Sequence, residues 1–148
     1  MRNHRGFTLV ELLVVFAIAA LLAALVPTAF DRLRESAEYR STVRTMMTQL
    51  RSARVRAQQE RRDVRFVLDL NQRHFGIDGE PLLSLPAALK VRAVVAQGET
   101  SPGSVAILFL PQGGATGGSV ELLRASGAGT RLRVDWISGR VTQEALLP

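Results

Sequence analysis

The chain has 148 residues with a formal net charge of +6, and all but one of its basic residues are arginines, Lys90 being the exception. The bases run from Arg2 to Arg140 with acids between them and form no block of like charge, so composition argues for solubility more than for a polyanionic partner. There is no cysteine, which excludes disulfides, a thiol nucleophile and thiolate metal sites.

From Phe7 to Val26 the only side chains that are not apolar are Thr8 and Glu11. Roughly 20 helical residues span about 30 Å, the thickness of a bilayer's hydrocarbon core, so residues 7–26 read as a transmembrane helix. A secretory signal would carry its small-residue cleavage site after the apolar stretch. Here the candidate glycine, Gly6, stands before it, so the stretch is expected to be retained and residues 1–6 to be the leader. Loss of Arg2 and Arg5 with that leader lowers the net charge from +6 to +4. Both arginines precede the span, which places the amino terminus in the cytoplasm and sends the chain beyond Pro27 across the membrane.

A carboxylate at position 11 costs on the order of 3 kcal/mol on membrane-insertion scales. Two compensations are open. Thr8 and Glu11 form a T-x-x-E capping box, in which each side chain satisfies a free backbone N–H at the helix start. Glu11 can also pair with a cation inside an assembly of such helices, where the low dielectric strengthens the attraction. The stretch Gly6, Phe7, Thr8, Leu9, Val10, Glu11, Leu12, Leu13 and Val14, GFTLVELLV, resembles the class III signal of type IV pilins and type II secretion pseudopilins. The resemblance implies cleavage by a prepilin peptidase between Gly6 and Phe7, N-methylation of Phe7, and pairing of Glu11 with a neighbouring subunit's terminal amine during assembly.

Pro27 ends the apolar run, and a kink or local melting is expected there. Over residues 27–62 an amphipathic continuation of the helix is predicted to about Arg61, with a packing stripe of Leu33, Ala37, Val43, Met47, Leu50 and Ala57. Met46 and Met47 are read as core filler.

After Arg62 the period changes to two, and residues 63–148 read as an antiparallel β domain. Val64 to Asn71 and His74 to Asp78 form a hairpin. Alternating runs follow at Leu89–Ala96, Val105–Leu110, Ser119–Leu123, Arg131–Trp136 and Val141–Ala145. The segment PQGGATGG, Pro111 to Gly118, lacks the lysine and hydroxyl of a phosphate-binding loop and leads into a strand, so it reads as a turn. Ile137 to Arg140 read as a hairpin turn with Arg140 in solvent. Trp136 continues the parity of Leu132 and Val134 and is expected in the core.

No catalytic or cofactor-binding constellation emerges. His74 stands alone on a strand, where an exposed polar role is expected, and Asp63, Asp69, Asp78, Glu80 and Asp135 lack metal-ligand spacing. An enzyme is not expected.

The order of LRSARVRAQ (Leu50–Gln58), VAILFL (Val105–Leu110), PQGGATGGSVEL (Pro111–Leu122) and VDWISGRV (Val134–Val141) resembles the H-type minor pseudopilins, the GspH and FimT-like group. That resemblance implies an α+β, pilin-like fold: a long helix against an antiparallel domain of two sheets. It implies a structural subunit near the tip of a periplasmic type II secretion pseudopilus, assisting export of folded proteins. The setting would be the bacterial inner membrane, with one pass and a periplasmic carboxy-terminal domain. Its partners would be other pseudopilins, the prepilin peptidase, the inner-membrane assembly platform and the lipid bilayer. The same group suggests an alternative, a minor type IV pilin that binds DNA for uptake, for which Arg131, Arg133 and Arg140 are the candidates.

Overall fold

The computed structural model describes residues 8–95 and 103–148, with side chains described throughout except at residues 24–32. One helix, α1, runs from Leu9 to Glu60. It contains no glycine, and the Thr8 hydroxyl caps its first turn, so propensity and capping agree. Helical backbone continues through Pro27. The local melting expected there does not occur, because proline deletes one ladder hydrogen bond and the bonds on either side remain. The helix stops at Arg61, whose φ of 52° puts a non-glycine residue in the left-handed region usual for a C-terminal stop.

The chain divides into two units, Met1–Ala37 and Glu38–Pro148, and the division falls within α1. In the second unit, α1 buries Tyr39, Thr42, Val43, Met46, Leu50, Ala53 and Ala57, at the three- and four-residue steps of one helix face. The predicted stripe is corrected at both ends of its logic. Leu33 and Ala37 are exposed, since they precede the second unit. The buried methionine is Met46, with Met47 at the margin, because Met46 to Leu50 is one full turn.

Among the described residues eight strands follow: β1 Val64–Asp69, β2 His74–Ile77, β3 Leu83–Ser84, β4 Lys90–Val94, β5 Ser104–Phe109, β6 Gly118–Leu123, β7 Gly129–Val134 and β8 Val141–Leu146. They form two four-stranded sheets, ordered β3-β2-β1-β5 and β4-β6-β7-β8, and every pairing is antiparallel. This is the α+β, two-sheet arrangement expected. The predicted hairpin is β1-β2, with Phe66 opposite Ile77 and Leu68 opposite Phe75. β3 was not predicted: it is two exposed residues long and has no periodicity to read.

Both sheets and α1 contribute to one core, in which Phe66, Phe75, Phe109, Met46, Leu50, Leu68, Leu122 and Leu132 are the largest fully buried side chains. A buried hydrogen bond of 2.7 Å from the Tyr39 hydroxyl to Thr130 Oγ1 ties α1 to β7. The Arg124 guanidinium lies 4.1 Å above the Tyr39 ring, a cation–π contact on the same aromatic.

Candidate functional site

Two regions hold the residues singled out in the sequence, one in each unit. At the amino terminus, Gly6 and Phe7 lie outside the described residues. Thr8 and Glu11 lie within them. Thr8 Oγ1 accepts a hydrogen bond of 3.3 Å from the Glu11 backbone N–H, and Leu12 N–H donates to the Thr8 carbonyl at 3.2 Å. This is one half of the capping box. The Glu11 carboxylate makes no ion pair among the described residues.

Around it Leu9, Val10, Leu12, Leu13, Val14, Val15, Phe16, Ile18, Leu21 and Leu22 are all exposed. A helix apolar on every side is a helix for a non-aqueous setting or for burial among other helices. Among the described residues no helix is long and apolar enough to cross a membrane; the span expected at 7–26 includes Phe7 and the side chains of residues 24–26, which lie outside them.

The second region is the outward face of the sheet β4-β6-β7-β8, which carries Arg131 and Arg133, together with the adjoining β7-β8 turn, which carries Arg140. Register places Arg92, Glu121, Arg131 and Glu144 in one row across all four strands. Arg131 donates through Nε at 3.0 Å and through an Nη at 2.7 Å to Glu121 Oε1, and its other Nη lies 3.7 Å from Glu144. The hydrogen bond and charge of Glu121 raise the Arg131 pKa above its usual value, with a smaller contribution from Glu144. Arg131 is therefore a bridge between two glutamates, and the row alternates in sign.

Arg133 is exposed on the same face, between neutral Ser119 and Thr142. Arg140 is exposed beyond the β7-β8 turn, as expected. The structure thus gives the three arginines separate circumstances and does not assemble them into one basic patch.

The turn between β7 and β8 corrects another expectation. Trp136 is 68% exposed, because β7 ends at Val134 and the parity that would bury the indole ends with it. Asp135 organises this turn: its Oδ1 accepts from Ser138 N–H at 2.8 Å and from Ser138 Oγ at 2.7 Å. Those two bonds lower the Asp135 pKa below its ordinary 3.8, with a weaker contribution from the Arg133 charge.

The turn also meets the end of α1. Arg54 Nε donates to the Ser138 carbonyl at 3.0 Å, and a Cβ on Gly139, at φ 61°, would lie 2.6 Å from the Gly113 carbonyl. The Pro111–Gly118 segment is a turn as predicted, with positive φ at Gly113, Gly117 and Gly118. His74, expected exposed, is half-buried on β2 opposite Asp69, since the added strand β3 covers the other side of β2.

Residues 42–139 match the family described as type II transport protein GspH. The chain belongs to that family. Residues 1–27 match the prokaryotic N-terminal methylation motif. Over 141 residues the chain is 35% identical to type II secretion system protein H of Xanthomonas campestris pv. campestris, covering 95% of this chain and 83% of that protein. The fold is similar to that of the minor pseudopilin EpsH from the type 2 secretion system of Vibrio cholerae, with a TM-score of 0.58 at 13% identity over 73% of this chain and 97% of the other. A minor pseudopilin role comes with membership of the GspH family.

Proposed function

We propose that this minor pseudopilin is made as a precursor, cut between Gly6 and Phe7, methylated on the new Phe7 amine and held in the inner membrane by residues 7–26. The β domain then lies in the periplasm, and the subunit joins other pseudopilins near the tip of a filament that helps a type II secretion machine export folded proteins. The observation that carries this reading is the state of Glu11. It sits among exposed apolar side chains of the helix, Thr8 satisfies its backbone N–H, and its carboxylate has no ion-pair partner among the described residues. A charge so placed costs on the order of 3 kcal/mol in lipid and gains most from a cation in the same low-dielectric layer. The amine freed by cleavage at Phe7 of a neighbouring subunit is such a cation. Cleavage thereby licenses assembly.

Gly6→Val is expected to leave the chain at precursor size and without the added methyl, read by gel mobility and by the mass of the amino-terminal peptide. Glu11→Ala is expected to be cleaved but to fail to co-purify with the other pseudopilins, with loss of secretion. Normal processing of the first variant, or normal incorporation and secretion with the second, would refute the proposal.

A further inference from the structure

We infer that the outward face of α1 between Arg40 and Gln59 docks an acidic helix of a different subunit and repels a second copy of this chain. The face lies on the side of the helix away from the core. Tyr39, Met46, Leu50, Ala53 and Ala57 are buried, whereas Arg40, Arg44, Arg51 and Val55 are exposed. Steps of four, seven and four residues hold these four side chains within about 60° around the helix, since seven residues make nearly two turns.

The charge of this face has one sign. From Tyr39 to Gln59 the helix carries five arginines and no aspartate or glutamate. Two of them are engaged with the β domain: Arg54 donates to the Ser138 carbonyl, and Arg56 is paired with Glu80. Arg40, Arg44 and Arg51 make no ion pair among the described residues, so the charges on the outward face are uncompensated. Its shape suits a helix. A groove of about 490 Å³ is lined by Thr48, Arg51, Ser52, Val55, Arg56 and Gln59. Thr48 and Ser52 are small and one turn apart, and the Thr48 hydroxyl is tied back to the Arg44 carbonyl at 2.9 Å, which leaves room for a ridge of side chains from another helix. Val55, 45% exposed, offers that ridge an apolar contact. An acidic helix covers both the cations and Val55, whereas a phosphate backbone or a lipid headgroup meets the cations alone.

The same pattern acts against a second copy. Two copies overlapped on this segment bring arginine to arginine whichever way they run, because the segment holds no acid to offer. Carboxylates at the spacing of Arg40, Arg44 and Arg51 replace that repulsion with ion pairs on a face partly shielded from water. A subunit so built enters an assembly beside a different, acidic neighbour and does not propagate itself, as a component present in few copies requires. The inference rests on the minor-subunit reading in naming a pseudopilin as that neighbour, yet its charge rule is tested on the purified chain.

The chain has no cysteine, so Val55→Cys places a single thiol on the face. The probe is the same chain with Arg40→Glu, Arg44→Glu and Arg51→Glu, which presents an acidic helix of known geometry. Parent and probe, both full-length, both carrying Val55→Cys and distinguished by an affinity tag, are reconstituted together in zwitterionic lipid vesicles and treated with a bis-maleimide. Cross-links between parent and probe are expected to exceed those between two parent chains by about fivefold or more beyond the random ratio, and to approach that ratio at about 1 M salt. Arg40→Lys, Arg44→Lys and Arg51→Lys together are expected to behave as the parent. Circular dichroism checks the fold of each variant, and Arg44→Glu alone, expected to give a smaller excess of the same sign, replaces a probe that does not fold. Random proportions of the three dimers, or an excess of parent with parent, overturn the inference. So does protection of the Val55→Cys thiol when the parent alone is placed in anionic vesicles, which marks a lipid headgroup as the occupant, or protection by duplex DNA. The ratio is read on unprocessed chains, so its failure leaves the processing and incorporation assays untouched, and theirs leaves this one untouched.

Discussion

Removing the Tyr39 hydroxyl tests how the helix is tied to the second sheet. Tyr39 and Thr130 are both buried, and their hydroxyls are joined at 2.7 Å. Tyr39→Phe keeps the ring in the core and leaves an aromatic face under Arg124, so packing and the cation–π contact survive. What is lost is one neutral hydrogen bond, worth about 1 kcal/mol net, together with the cost of leaving the Thr130 hydroxyl buried without that partner, a further ~1–2 kcal/mol. Thr130→Val strands the Tyr39 hydroxyl by the same logic. The double variant strands neither, so its cost is expected to fall short of the sum of the singles by about 1 kcal/mol or more. Urea unfolding of the full chain in detergent, followed by far-ultraviolet circular dichroism, reads these costs. At a slope of roughly 2 kcal/mol per molar, each single variant is expected to lower the midpoint by about 1–1.5 M with little change of slope. Costs that simply add, or a Tyr39→Phe midpoint equal to that of the parent, would show that this hydrogen bond does not couple helix and sheet.

Three further outcomes follow from the β7-β8 turn and the charged row. Because Ser138 lowers the Asp135 pKa in the folded state, ionised Asp135 stabilises the fold above its unfolded pKa, and that stability is lost as pH falls through the lower folded value; Asp135→Asn is expected to flatten the acid limb of a stability–pH profile below about pH 4, and an unchanged limb contradicts this. Gly139→Ala combines left-handed strain with a clash against the Gly113 carbonyl, whereas Gly79→Ala at φ 85° meets open space, so thermal melts are expected to show the first costing about 1 kcal/mol or more beyond the second. Since Arg131 is neutralised by Glu121 and Glu144, DNA retention by the full chain in a gel-shift salt series is expected to be weak and indifferent to Arg131→Ala; steep salt dependence abolished by that change would revive the DNA-uptake alternative.

The residues that read correctly from sequence are those whose neighbours are close in the chain. Val64, Phe66 and Leu68 alternate and are buried in β1. Val43, Leu50 and Ala57 repeat at helical spacing and are buried on α1. Errors arose where burial depends on distant partners. Ala53 lies in the core without having been singled out, and Leu33 lies outside it despite fitting the period. The pairing of β1 with β5 and of β4 with β6 brings together segments that no local pattern links. Trp136 misled because alternation says which way a side chain points only while the strand lasts, and the Asp135 turn ends it one residue earlier.

The candidate sites divide along the same line. Gly6, Phe7 and Glu11 stand out because a carboxylate in an apolar run beside a glycine is a contiguous pattern with one dominant physical cost, and the roles proposed for them rest on that pattern; the helix, the β domain and their order follow from local periodicity in the same way. The neighbours of the arginines follow from strand pairing instead. Arg131 and Arg133 are two residues apart and alike in sequence, yet cross-strand register gives the first two glutamates and the second only neutral neighbours. Register is set by how whole strands pair across the sheet, so the charge that remains available on the surface is a property of the assembled sheet rather than of any segment in it.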